Sequence, residues 1–156
     1  MDSQPLDLVH HRNLPLLFLQ ARESVFARFK PILNTAGLTE QQWRVVRALL
    51  DHGPLEPRQI GDICRLSSPS LAGILARMDD LGLVLRERLE NDQRRVRVSV
   101  TPKGQALAAS LAPTIEATYR ELENQLGVEF IAHLYTTLDE VIAKLGTAAD
   151  SEDGNW

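Results

Sequence analysis

The chain reads as mainly α with a small β-wing, and three observations carry that reading. Apolar residues recur at helical spacing through most of its 156 residues. One clear stretch, 95–101, instead alternates apolar and polar side chains as a strand does. Two pairs, Ser68-Pro69 and Thr101-Pro102, are strong helix openings that flank this stretch.

The length fits one domain with a sizeable core, 1–156, and apolar and charged contents of 44% and 24% are ordinary for a soluble protein. No apolar run approaches the roughly 20 residues of a membrane span. The first residues lack a signal-peptide pattern, so a cytoplasmic chain is expected, with no membrane partner. One cysteine, Cys64, excludes an internal disulfide framework. A net charge of −4 argues against nucleic acid until its distribution is considered. Residues 58–103 hold nine Lys/Arg against six Asp/Glu, whereas the remainder holds eight against fifteen. A DNA-binding face needs a local positive field rather than a basic chain.

Residues 1–10 are polar and acidic and read as an arm. From 13 to 33 the residues Leu14, Leu17, Phe18, Ala21, Val25, Phe29, Ile32 and Leu33 predict one helix. Leu16 and Leu19 widen its apolar surface beyond one stripe, which favours a helix shared with a second subunit over a central core helix. Thr39 and Gln42 form a capping box for a helix that turns Trp43, Val46, Leu49 and Leu50 inward and stops at Gly53-Pro54. Pro57 opens a short helix, 57–64, anchored by Ile60 and Ile63. A tight connection at Arg65-Leu66-Ser67 leads to the next helix, capped at Ser68, with Leu71, Ile74, Leu75, Met78 and Leu81 as its buried stripe. Gly82 ends it. Two strands, 83–89 and 95–101, flank a turn at Glu90-Asn91-Asp92-Gln93-Arg94. Thr101-Pro102 then opens a helix bent at Pro113 and carrying Leu107, Leu111, Ile115, Thr118, Leu122 and Leu126. A last helix after Gly127 carries Phe130, Ile131, Leu134, Leu138, Val141, Ile142 and Leu145, before an acidic tail at 150–156. The outer helices, 13–36 and 102–146, all need an apolar partner. Packing them together and across a two-fold axis gives a helical dimerisation region and an obligate homodimer. Residues 38–101 form a winged helix-turn-helix lobe.

That lobe carries the chemistry. The major groove admits one α-helix, whose first residues reach base edges. Ser67, Ser68, Pro69 and Ser70 are short enough for close approach, and Gly73 keeps the next turn low. Arg77 reaches a phosphate or a guanine. An ordinary capped helix, whose serines only cap, is the plainer alternative. Arg94 and Arg95 stand at the wing, where a narrow A·T-rich minor groove attracts arginine. Asp92 cannot contact DNA favourably and either holds an arginine or braces the turn. Gln93 sits between them.

Asp92-Gln93-Arg94, the valine strand and Thr101-Pro102-Lys103-Gly104 resemble the wing signature of the MarR family of bacterial transcriptional regulators. Leu38-Thr39 with Trp43, and Arg77-Met78 through Gly82-Leu83-Val84, fit the same pattern. The resemblance implies a homodimeric repressor on a pseudo-palindromic operator, with Arg94 in the minor groove and Asp92 supporting the wing. Ala72 and Gly73 depart from the larger polar or basic residues of many relatives, which moves base readout toward Ser70 and Arg77. His11-Arg12-Asn13-Leu14-Pro15, Gln20-Ala21-Arg22-Glu23 and Ser68-Pro69-Ser70-Leu71 resemble the branch that controls homoprotocatechuate and aromatic-acid catabolism. The resemblance implies a small aromatic carboxylate effector between the dimerisation helices and the DNA lobe. Such a ligand needs a flat apolar wall, a cation and hydrogen-bond donors. His11, Arg12, Asn13, Arg22, Trp43 and Arg65 are the candidates. Trp43 as core, Arg22 as a partner of a carboxylate and His11 as an arm residue remain the plainer readings.

An enzyme is not expected: the chain has no Gly-rich phosphate loop, nucleophile motif or paired metal-ligand spacing. No cofactor and no metal are expected. A redox- or metal-responsive regulator of the same fold, and a winged-helix protein-interaction module, are the alternatives. Cys64 reads as a buried small hydrophobe rather than a redox switch.

Overall fold

The computed structural model describes residues 8–146. The acidic tail at 150–156 and the start of the polar arm lie outside them. Seven helices and one two-stranded antiparallel sheet follow in the order α1 (Leu14–Phe26), α2 (Lys30–Thr35), α3 (Glu40–His52), α4 (Pro57–Cys64), α5 (Ser68–Asp80), β1 (Val84–Leu89), β2 (Asp92–Val100), α6 (Pro102–Leu126) and α7 (Val128–Leu145). The mainly α architecture with its wing is therefore as the sequence predicts.

The single helix expected over 13–33 is two helices. Pro31 offers no N–H and its ring would clash with the Ala27 carbonyl four residues back. The chain turns at 27–29, where Arg28 and Phe29 donate to carbonyls only three residues earlier, and restarts as α2. The Thr39 capping box forms, with Gln42 N donating to Thr39 Oγ1 at 3.1 Å and Thr39 N to Gln42 Oε1 at 3.0 Å. Ser67, not Ser68, caps α5, one residue earlier than expected, so that Pro69 becomes its second helical residue. Gly82 takes φ +74°, and the Leu83 amide reaches back to Met78 O, the left-handed helix stop that glycine allows.

The core lies in the lobe. Val45, Val46, Leu49, Ile60, Leu71, Leu75, Met78, Val84 and Val98 pack as one cluster, with Cys64 among them. Burying Ile60 or Met78 fully contributes about 1.5–3 kcal/mol each. Three expected anchors point outward instead: Leu50 is 41% exposed, Ile63 45% and Leu81 45%. Cys64 takes the inward position that Ile63 was expected to hold, and Val45 is buried on α3 where Leu50 is not. Ile63 and Cys64 are adjacent, so only one of them can face the lobe. A smaller cluster of Leu33, Leu38 and Leu83, with Phe26, Trp43, Leu107 and Leu111 against it, joins α2 and α6 to the lobe.

The wing differs from expectation at its tip. Only Glu90 and Asn91 turn, and Asp92, Gln93 and Arg94 already belong to β2. Arg88 opposes Val96 but Leu89 opposes Asp92, so 93–95 bulge from the ladder. Leu55, between α3 and α4, exchanges two backbone hydrogen bonds with Val98 (3.0 and 2.7 Å) and pins the wing to the lobe. At the other end, α1 and α7 bury no residue within one chain.

Candidate nucleic-acid interface and effector cavity

The first turn of α5 is presented outward. Ser67, Ser68, Pro69, Ser70 and Gly73 are exposed, as is Arg77 two turns on. Ser67 Oγ accepts from Ser70 N at 3.4 Å and donates to Ser70 Oγ at 2.9 Å, so these two hydroxyls serve the helix start and still face solvent. A Cβ on Gly73 would meet nothing within 4 Å, which leaves the second turn of this face open.

On the wing, neighbouring arginines part. Arg95 crosses to the start of α4 and pairs with Glu56, Nε at 2.6 Å and Nη2 at 2.5 Å from Oε1. Asp92 Oδ1 accepts from the Arg94 amide at 3.0 Å, so the carboxylate braces the bulge through the backbone. Arg88 Nη1 donates to Gln93 O at 2.8 Å and closes the same bulge. Among the described residues no ion pair or hydrogen bond engages the Arg94, Arg77 or Arg65 guanidinium. These three side chains are exposed, whereas Arg95 is tied to Glu56.

A cavity of about 620 Å³ opens between α1, α3, α6 and α7. Leu17, Phe18, Phe26, Phe29, Trp43 and Tyr119 give it an aromatic and aliphatic wall. Phe29 and Tyr119 pack with ring centroids 4.9 Å apart and their planes tilted by 54°. Its charged groups are Arg22, Glu40 and Arg44. Arg22 pairs with Glu40 and lies 5.8 Å from the centre of the Phe26 ring. Of the six effector candidates, Arg22 and Trp43 line the cavity. His11, Arg12, Asn13 and Arg65 are not part of its wall. Asn13 caps α1 by accepting from Leu16 N at 3.1 Å, and Arg65 ends α4 in a left-handed conformation (φ 55°). Trp43 serves as wall and core together, because it also packs against both hydrophobic clusters. Sequence reasoning missed Arg44, Glu40 and Tyr119. The Glu40–Arg44 spacing of four on an amphipathic helix was a legible signal, whereas Tyr119 comes from a helix far along the chain.

Cys64 stands just behind the cavity wall. It is buried, and burial raises its thiol above the ordinary range while the nearby Arg44 cation pulls it partly back. A protonated, enclosed thiol is a poor nucleophile.

A recognition helix, a pinned arginine-bearing wing and a helical base define the chain as a winged helix-turn-helix protein. A family-level model described as MarR family matches residues 36–95. The chain is 41% identical over 133 residues to the homoprotocatechuate degradative operon repressor of Escherichia coli, covering 85% of this chain and 90% of that protein. It is 37% identical over 141 residues to the HTH-type transcriptional regulator FarR of Neisseria gonorrhoeae, covering 90% of this chain and 96% of that one. The solved structure of NadR in complex with 4-hydroxyphenylacetate superposes with a TM-score of 0.77 at 36% identity, covering 88% of this chain and 97% of NadR. The chain belongs to the MarR family of transcriptional regulators. Among the described residues no helix is long and apolar enough to cross a membrane.

Proposed function

We propose that the chain is a transcriptional repressor that binds a pseudo-palindromic operator as a homodimer and leaves it when a small aromatic carboxylic acid fills the cavity. The observation that carries this reading is the cavity itself. Aromatic rings form its wall, Arg22 and Arg44 supply its cations, and it lies between the helical base and the DNA lobe. A ring stacked among Phe18, Trp43 and Tyr119 with its carboxylate toward the arginines satisfies both halves of such a ligand. The name of the Escherichia coli relative and the ligand of NadR support the same class of effector. DNA contact falls to Ser67, Ser68, Pro69, Ser70, Gly73 and Arg77 in the major groove and to Arg94 in the minor groove, with Asp92, Gln93 and Arg95 shaping the wing. The exposed apolar faces of α1 and α7 supply the dimer interface.

A thermal-shift and DNA-release screen tests the reading directly. Hydroxylated phenylacetates, benzoates and pyridine carboxylates are added to the protein alone and to the protein on its upstream DNA. At least one acid is expected to raise Tm and to release DNA over the same concentration range. If none of the panel does either, the effector assignment fails. A footprint covering two half-sites about one helical turn apart is the matching result on DNA.

A further inference from the structure

Arg44 faces two ways. Its Nη1 donates to Cys64 O, the carbonyl that ends α4, at 2.7 Å. Cys64 Sγ returns a bond to Arg44 O at 3.4 Å, so the two residues clamp α3 to the end of α4. Arg44 is also part of the cavity wall. Its Nε is buried with no hydrogen-bond partner and sits 3.9 Å from Glu40 Oε1, beyond hydrogen-bond distance. Glu40 is itself held by Arg22. Beyond Cys64 the chain passes through left-handed Arg65 and reaches Ser67, the cap of α5, three residues later.

We propose that Arg44 is the coupling residue: it is shared between an anion in the cavity and the carbonyl at the helix-turn-helix connection, and the bound anion draws it off that carbonyl. This rests on the effector reading above and adds the route by which the ligand acts. The bonds to Cys64 O and to a bound anion share one ionised donor, but a carboxylate adds the opposite charge and accepts two N–H groups at once, and the enclosed Nε–H has no acceptor where it stands. Because the guanidinium is rigid and planar and its Nε is enclosed, it must swing toward the cavity before a carboxylate can take Nε–H and Nη2–H together, and that swing carries Nη1 away from Cys64 O. The last carbonyls of a helix carry negative partial charge, and an acceptor left unpaired there is costly, so the end of α4 and the Arg65–Ser67 connection rearrange. The cap and first turn of α5 move with them. Lysine cannot replace Arg44, because one ammonium on a flexible stem does not present two donor edges in fixed directions.

The test measures coupling, the ratio of the acid's Kd on DNA-bound protein to its Kd on free protein. The probe is 4-hydroxyphenylacetate, with its neutral amide as control. For wild type, coupling on the order of tenfold is expected for the acid and none for the amide. In Arg44→Lys the acid's coupling is expected to fall to about threefold or less, a loss that mere destabilisation of the fold does not produce. Coupling retained in Arg44→Lys overturns the proposal and leaves the effector reading intact. Absence of binding and release in wild type, with this acid and with the wider panel, overturns both. Should Arg44→Lys fail to fold or to bind the acid, NMR of the wild-type protein decides. The acid, and not the amide, is expected to shift the Arg44 Nε–H resonance and the amides of Arg65 and Leu66. If the acid binds and those resonances stay in place, the proposal is overturned.

Discussion

Arg94 and Arg95 are adjacent in the chain and separate in role. Arg95 spends its charge on Glu56, 39 residues away in sequence, whereas the Arg94 guanidinium faces solvent on a bulge braced by Asp92. Arg94→Ala is therefore expected to weaken operator binding and reduce the slope of log Kd against log salt by roughly one if the side chain meets phosphates. Equal affinities across a salt titration would remove Arg94 from the interface. Cys64 is a second contrast, since one cysteine in a regulator invites a redox reading. Its raised thiol pKa means that it stays protonated at neutral pH and forms thiolate only above the ordinary thiol range. Alkylation by iodoacetamide at pH 7 is expected to run slower by about an order of magnitude or more than in urea, because both thiolate and access are scarce. Equal rates in the two states would restore the redox alternative.

Helix starts and strand contacts set how each segment meets its neighbours. Thr101 caps α6 by accepting from Gly104 N at 3.0 Å and donates its own hydroxyl proton to Gly82 O. Lys103 Nζ donates to Leu81 O at 2.7 Å. The end of α5 and the start of α6 thus satisfy each other's terminal groups. Gly104 allows this approach: a Cβ there would fall 2.8 Å from Val100 Cγ2 and still nearer to the Leu83 carbonyl oxygen, which is backbone and cannot swing aside. Gly104→Ala is expected to cost about 1–3 kcal/mol, read as a lower urea midpoint at unchanged m. An unchanged midpoint would mean that α6 shifts freely against the lobe. Pro31 works in the opposite sense by preventing an element from continuing, and its steric clash divides what the apolar pattern presents as one helix.

Taken together, the helices leave a large apolar debt at one end of the chain. Leu14, Leu16, Phe18 and Leu19 on α1, and Val128, Phe130, Tyr135, Ile142 and Leu145 on α7, are all exposed. Patches of this kind mark protein–protein contact. A second copy is the cover that the proposed two-fold operator calls for. The protein is expected to sediment at twice its 17.4 kDa chain mass. Phe130→Glu is expected to shift that mass toward the monomer at micromolar concentration and to weaken operator binding with it. A wild-type monomer that binds DNA fully would overturn the two-fold arrangement. The charge distribution suits this geometry, with the net positive residues in the DNA lobe and the acidic surplus elsewhere.

The local signals could be read without a structure because local physics sets them. The Thr39 capping box, the Thr101-Pro102 start, the Gly82 stop and the valine alternation each involve residues within a few positions of one another. The same holds for the basic stretch, since charge balance is a matter of counting. Errors arose where two residues compete or where distance in sequence is large. The exposure of Leu50, and Ile63 against Cys64, are settled by which face the rest of the lobe covers. The wing's anchors, Glu56 and Leu55, make contacts roughly forty residues apart, and composition is blind to these. The cavity is the strongest case. Its wall gathers Phe18, Trp43 and Tyr119 from three helices, and its cation Arg44 gains meaning only from Cys64 beside it. Periodicity and caps specify each element alone, while packing decides which side chains converge, and convergence is what makes a binding site.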